Sequence, residues 1–317
     1  MSLHLAYFGL PLGALLLGSD GHILDVCVTS PIAAPGLRRL RTLHGTRVLR
    51  ASELGPELDA EVDRALAERR PDVLVSWFWT RKLPERWLRT PRLAALGVHP
   101  SLLPRHRGRD PYFWAIDSGD SQTGVSVHLL EPEYDVGAVL DRQAIDVGQR
   151  NAWQLARALD RPSLAALRRT LQRYARGELP LAVPQDPAGV TLAPEPTGDL
   201  LRVDFHWSTE RVLRRIRALS PTPGLPLALA DLAFFVTAAS PTSHFLPALE
   251  PGEAQILDRR LLLRTSDGAL VVERALMEGE DDDADVLNAE ELARRVAERL
   301  TSRSSELRAF AWNAELE

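Results

Sequence analysis

The chain has 317 residues, 45% hydrophobic and 26% charged, enough for two ordinary soluble domains. A net charge of −5 argues against a general polyanion binder, and no apolar run is long enough to span a bilayer. The single cysteine, Cys27, excludes an internal disulfide and a cysteine-rich metal cluster, and fits a cytoplasmic location.

In chain order, residues 3–8 read as an opening β-strand and not as a signal peptide. A second apolar run covers 23–28. Leu58, Val62, Ala65 and Leu66 fall at helical spacing, which predicts a helix over 57–70. Residues 73–79 are almost continuously apolar, as in a strand buried on both faces, and another short strand covers 93–98. This alternation implies an α/β fold with an open, mostly parallel, Rossmann-like sheet, whose ligands bind beyond the carboxyl ends of the strands. Gly9-Leu10-Pro11-Leu12-Gly13 is not a G-x-G-x-x-G phosphate loop, so no dinucleotide is expected.

Two extended segments follow, 123–130 and 139–147, around a turn-rich stretch at 131–137. A long amphipathic helix is predicted over 152–176, with Pro162 at a break. Five prolines between Pro180 and Pro196 mark a linker extended over the surface. Ser208 is an N-cap for a helix over 208–219. Short apolar runs at 225–236, 255–263 and 269–276 suggest a small β-barrel, and 289–300 an amphipathic helix. The division expected is therefore 1–177, a Pro-rich linker over 178–203, and a C-terminal domain over 204–317.

The chemistry concentrates in Gly97-Val98-His99-Pro100-Ser101-Leu102-Leu103-Pro104-Arg105-His106-Arg107-Gly108, with Asp135 in Tyr134-Asp135-Val136-Gly137. A histidine at the end of a buried strand can act as a base, and an aspartate from a second turn can orient it. Taken singly, His99 reads as a strand-end histidine satisfied by backbone and Asp135 as a turn residue.

The full pattern adds Pro111-x-x-Trp114-Ala115-Ile116, Gly119, Thr123-Gly124-Val125 and Asp135-x-Gly137. It resembles the family of formyltransferases that use 10-formyltetrahydrofolate. That family includes methionyl-tRNA formyltransferases, nucleotide-sugar N-formyltransferases, glycinamide ribonucleotide transformylase and a formyltetrahydrofolate hydrolase domain. Pro184-Gln185-Asp186, Thr191-x-Ala193-Pro194 and Ile216-Arg217-Ala218-Leu219-Ser220-Pro221 look like the linker and C-terminal entry of the tRNA enzymes.

The resemblance implies a formyltransferase catalytic domain over 1–177, an OB-like barrel over 204–317, and direct transfer from the folate donor to an amine. It places catalytic roles at His99 and Asp135, with Ser101 in the same loop. The family's asparagine falls on Gly97. Three accounts of that glycine stand open: another donor such as His128, space for a substrate group or water, or a slow or non-catalytic folate-binding protein. The pteridine pocket is implied at Trp79, Arg81, Leu83, His128, Leu130, Tyr134 and Val136. No metal site is suggested.

Whole-chain architecture supports a tRNA acceptor, and charge opposes it. Residues 204–317 hold 20 acidic and 13 basic side chains, including the run from Glu278 to Asp285. Residues 31–44 carry only Arg38, Arg39 and Arg41 where the tRNA enzymes carry a long basic insertion. A small-molecule amine, such as a nucleotide-linked amino sugar, is the alternative acceptor. Water in place of the amine would make the protein a hydrolase.

Overall fold

The computed structural model describes residues 1–29, 36–42, 46–50, 56–79, 81–229, 232–278, 284–300 and 309–311. Residues 31–35 and 43–44 of the expected basic-poor stretch, and 279–283 of the acidic run, lie outside the described residues. The chain divides into two compact units. One comprises Met1–Pro111, Gln122–Asp146 and Ala158–Pro194; the other comprises Tyr112–Ser121, Val147–Arg157 and Glu195–Glu317.

The first unit holds β1 (His4–Gly9), α1 (Pro11–Ser19), β2 (Ile23–Thr29), α2 (Leu37–Leu40), β3 (Arg47–Arg50), α3 (Pro56–Glu68), β4 (Val73–Trp77), α4 (Glu85–Leu88) and β5 (Ala94–His99). Past its first residue, α5 (Pro111–Asp117) falls in the second unit; β6 (Gln122–Leu129), β7 (Val139–Asp146) and α6 (Ala152–Ala175) from Ala158 onward fall in the first. The strands form one seven-stranded sheet in the order β3-β2-β1-β4-β5-β6-β7. The five from β3 to β5 are parallel, and β6 and β7 are antiparallel additions. Order reverses between β1 and β4, and a doubly wound sheet presents its binding groups beyond the carboxyl ends of strands near such a reversal. Strands β4 and β5 are buried throughout, which explains why they read as continuous apolar runs.

One face of this sheet packs on α3. Leu58, Val62, Ala65 and Leu66 bury against Phe8, Val26, Leu74 and Trp87. At about 1.5–3 kcal/mol per large apolar side chain, that cluster alone offsets the ordering of much of α3.

Two expectations need correction. Strand β4 ends at Trp77, not Trp79, because Phe78 turns to a left-handed φ of 52°; an apolar run does not reveal such a turn. Helix α6 also runs unbroken through Pro162. The lost N–H bond and ring clash cost about 3 kcal/mol. Fully buried Leu155, Leu159, Leu167 and Leu171 outweigh that at about 1.5–3 kcal/mol each.

The second unit holds α7 (Thr209–Ala218), β8 (Leu225–Leu229), β9 (Leu232–Thr242), β10 (Ala254–Leu257), β11 (Arg260–Arg264), β12 (Ala269–Glu278), β13 (Ala284–Asn288), α8 (Ala289–Leu300) and β14 (Ala309–Ala311). Its antiparallel sheet runs β10-β11-β12-β9-β8-β14, with β13 also paired to β12. Ser208 caps α7 as expected, its hydroxyl accepting the Arg211 N–H at 3.3 Å. Among the described residues no helix is long and apolar enough to cross a membrane.

Candidate active site

His99 ends β5 and is 6% exposed. Its Nε2 lies 2.8 Å from the carbonyl of His106. A carbonyl only accepts, so Nε2 carries the proton and Nδ1 is the basic nitrogen of the neutral ring. Nδ1 sits 3.4 Å from Asp135 Oδ2. Burial pushes the His99 imidazole below its ordinary range, against the opposing pull of Asp135 and the His106 carbonyl. A neutral ring at neutral pH is thereby ready to take a proton, with a carboxylate beside it to stabilise the cation that forms.

Asp135 occupies a turn with φ 56°. Burial opposes its ionisation, yet His99, His128 and the Gly108 N–H together hold it below the usual carboxylate range. The Gly108 N–H donates to Oδ2 at 3.0 Å, and His128 Nε2 lies 3.5 Å from Oδ1. The turn itself is pinned from behind: the Gln185 side-chain amide donates to the carbonyls of Asp135 and Gly137, both at 2.7 Å. Arg107 in turn donates to Gln185 Oε1 from Nε at 3.0 Å and from Nη2 at 2.8 Å. A Cβ on Gly137 would overlap the Leu129 carbonyl oxygen, so only glycine closes this turn.

The Pro-rich segment braces the loop after β5. Arg107 pairs with Leu192 in a parallel bridge. The Arg107 N–H donates to the Thr191 carbonyl at 2.9 Å, and the Ala193 N–H to the Arg107 carbonyl at 2.7 Å. The His106 N–H reaches Thr191 Oγ1 at 2.8 Å, holding His106 in its left-handed conformation at φ 60°. Sequence reading gives Arg107, Gln185 and Thr191 no role. All three occur in the stretches that carry the family resemblance, and that is the signal pointing to them.

The structure gathers His99, Asp135, His128 and Gly97 at one place. Gly97 faces His128 across the β5–β6 ladder. Ser101 is fully buried, but its hydroxyl donates to the Arg105 carbonyl at 2.6 Å; it shapes the loop and presents nothing to the cleft. Trp79, Leu83 and Leu130 meet on the core cluster around Phe8, with Trp79 edge-on to Phe8 at 5.9 Å. The Trp79 indole N–H is shielded from solvent and has no hydrogen-bond partner. Trp77 is a core residue, its N–H on Ser163 Oγ at 3.1 Å. Tyr134 is 49% exposed, with Lys82 Nζ 6.0 Å over its ring, so the loop after β4 adjoins the Asp135 turn. Arg81 is exposed and Val136 half-buried. Thr80 lies outside the described residues. Among the described residues no group of three or more His, Cys, Asp or Glu side chains is arranged to hold a metal ion.

Comparison with known proteins gives this geometry its context. Residues 17–162 match the formyl transferase family, and residues 198–295 match the formyl transferase C-terminal domain. A methionyl-tRNA formyltransferase of Gluconobacter oxydans is 33% identical over 84% of this chain and 88% of its own length. Among solved structures, HypX from Aquifex aeolicus in complex with tetrahydrofolic acid superposes with a TM-score of 0.68 over 97% of this chain. It is 19% identical, and the chain spans about half (51%) of HypX. The N-formyltransferase from Helicobacter canadensis with folinic acid and dTDP-3-aminofucose gives 0.65 at 13% identity, over 84% of this chain and 98% of that one. At such identities the structural likenesses speak for the fold alone.

Proposed function

The chain belongs to the formyl transferase family, and from that premise we propose that His99 and Asp135 carry formyl transfer from 10-formyltetrahydrofolate to the amine of an aminoacylated tRNA. The observation that carries the reading is the pair of buried His99 and half-buried Asp135, with its neutral imidazole and ionised carboxylate. The acceptor nitrogen adds to the formyl carbon, and the C=O electron pair moves onto oxygen. His99 Nδ1 takes the proton that the amine loses. Collapse re-forms the C=O bond, expels the folate N10 and returns the proton to it. The products are a formamide and tetrahydrofolate, and Asp135 balances the imidazolium formed between the two steps.

The donor is read at the loops after β4 and before Asp135. The solvent-shielded, unpartnered Trp79 N–H and the exposed Tyr134 ring are features a pteridine with polar edges and a flat face would use. Within the sequence division, 1–177 is the catalytic domain, 178–203 the linker and 204–317 an OB-like domain. The lone Cys27, buried as a free thiol, suits the cytoplasm.

Similarity to methionyl-tRNA formyltransferases over most of both chains favours the tRNA acceptor. One observation favours a small amine instead: residues 204–317 hold 20 acidic against 13 basic side chains, a balance that repels polyphosphate. Release of tetrahydrofolate, followed with charged initiator tRNA, with nucleotide-linked amino sugars and with no acceptor, decides between them. Turnover with charged tRNA alone is the expected result. Turnover with amino sugars alone would move the assignment to a small-molecule transferase, and turnover without acceptor to a hydrolase.

A further inference from the structure

Gly97 and His128 are directly opposed in the antiparallel β5–β6 ladder, as are His99 and Ser126. Opposed residues project from the same face, so these four share the side of the sheet that carries the His99–Asp135 pair. The β6–β7 register slips at this point. Val127 faces Asp141 while His128 faces Val139, leaving Leu140 without a partner. Such a bulge re-aims the side chain beside it. Here the ring of His128 lies over Gly97: a Cβ on Gly97 would fall on His128 Nε2, with Cε1 2.7 Å and Leu130 Cδ2 2.9 Å away. The space where a residue-97 side chain would begin is filled by the imidazole. A side chain at 97 and this orientation of His128 therefore exclude each other.

The other donors on this face are committed. His99 Nε2 donates to the His106 carbonyl, Ser101 Oγ to the Arg105 carbonyl and Ser126 Oγ to the Ser101 carbonyl. His128 differs. Its Nδ1 faces the Leu129 carbonyl at 2.8 Å, which fixes the ring and requires a proton on Nδ1. Its Nε2 lies 3.5 Å from Asp135 Oδ1, beyond the length of a committed N–H···O bond. Both ring nitrogens face acceptors, so each is placed to donate, and Nε2, lying over Gly97, is the one whose contact is longer than a hydrogen bond.

We infer that His128 donates from Nε2 to the formyl oxygen as it becomes an oxyanion, supplying from across the ladder what an asparagine at position 97 would supply from β5. The inference rests on the formyl transfer proposed above and resolves the three accounts of Gly97 in favour of the first. Glycine at 97 is the condition for this arrangement, because it leaves the ring its place.

The test moves the donor back. His128→Ala should lower kcat by about 10²–10³-fold, the effect of losing one oxyanion donor, with KM and donor affinity little changed. Gly97→Asn alone should also be impaired, since its Cβ meets the ring. The double variant Gly97→Asn/His128→Ala should recover at least about tenfold over His128→Ala, which a merely structural role for His128 would not produce. Infrared spectroscopy of 10-formyltetrahydrofolate carrying a ¹³C-formyl group, bound without acceptor, gives a readout independent of turnover. The carbonyl band should rise in frequency in His128→Ala and return in the double variant. A folded His128→Ala protein with kcat within about threefold of the parent, or with an unmoved band, overturns the inference and leaves formyl transfer standing. A parent protein that neither binds nor turns over the donor overturns both.

Discussion

Two aspartates, one in each unit, Asp117 buried and Asp135 half-buried, show what different partners do with the same carboxyl group. Asp117 meets Arg211 Nη1 at 2.6 Å and Nη2 at 3.1 Å, and Arg215 Nε at 2.7 Å and Nη2 at 3.1 Å. Arg215 also donates to the carbonyls of Leu200 and Arg202 at 2.7 Å, and both guanidinium groups lie over the Trp207 ring. Asp135 meets two imidazoles at 3.4 and 3.5 Å and one N–H at 3.0 Å. Burial opposes ionisation of both carboxyls, and in both the partners win. The partners of Asp117 never lose their charge and grip it in fork geometry, which makes a fixed structural knot. The partners of Asp135 can exchange protons and stand off slightly, which is what proton transfer requires.

The comparison is sharpened most by Asp135→Asn. Transfer should fall by about 10²–10⁴-fold, the range for a general acid–base group, while the thermal midpoint moves by only a few degrees; a rate within threefold of the parent would erase the distinction. Asp117→Ala should do the reverse. It strands two arginines, one of them 3% exposed, and should cost about 3–5 kcal/mol in denaturant unfolding, with the activity per folded molecule preserved below the transition. Gln185→Ala should fall between. It frees the carbonyls of Asp135 and Gly137 and the Arg107 fork, and should lower kcat about tenfold with a smaller change in KM and about 1–3 kcal/mol of stability. An unchanged kcat would mean that Asp135 holds its turn without the amide brace.

The smallest effect is on pH. The folded protein holds His99 below the ordinary histidine value of about 6.5. The neutral base therefore persists to lower pH than in a free histidine, and the acid limb of kcat/KM should lie below about 6.5. The same shift makes its contribution to stability complete above about 6.5 and lost as pH falls through the folded value. An acid limb at or above 6.5 would show that burial does not govern this ring.

How much of this was legible in the sequence varies by element, for physical reasons. The buried strands at Val73–Trp77 and Ala94–His99 read clearly because burial on both faces leaves an apolar run. Helix α3 read clearly because one stripe of it is apolar. Helix α1 did not, since Pro11–Ser19 is apolar on nearly every side and has no period to detect. Helix α4 and strands β3, β13 and β14 are three to five residues long, too short to carry a pattern. At the site, His99 and Asp135 were legible only through the spacing of the motif around them. The Gln185 brace was not, because it depends on where the Pro-rich segment docks. The filling of the Gly97 space by His128 was not, because it depends on strand register and a bulge that no local pattern encodes.

The most direct measurement is a single turnover of 10-formyltetrahydrofolate with excess protein and acceptor, comparing the parent with His99→Ala. The account predicts one tetrahydrofolate and one formylated acceptor per site in the parent, and a His99→Ala protein that still binds the donor but transfers at least about a hundredfold more slowly. Transfer at the parent's rate without the His99 imidazole would contradict it.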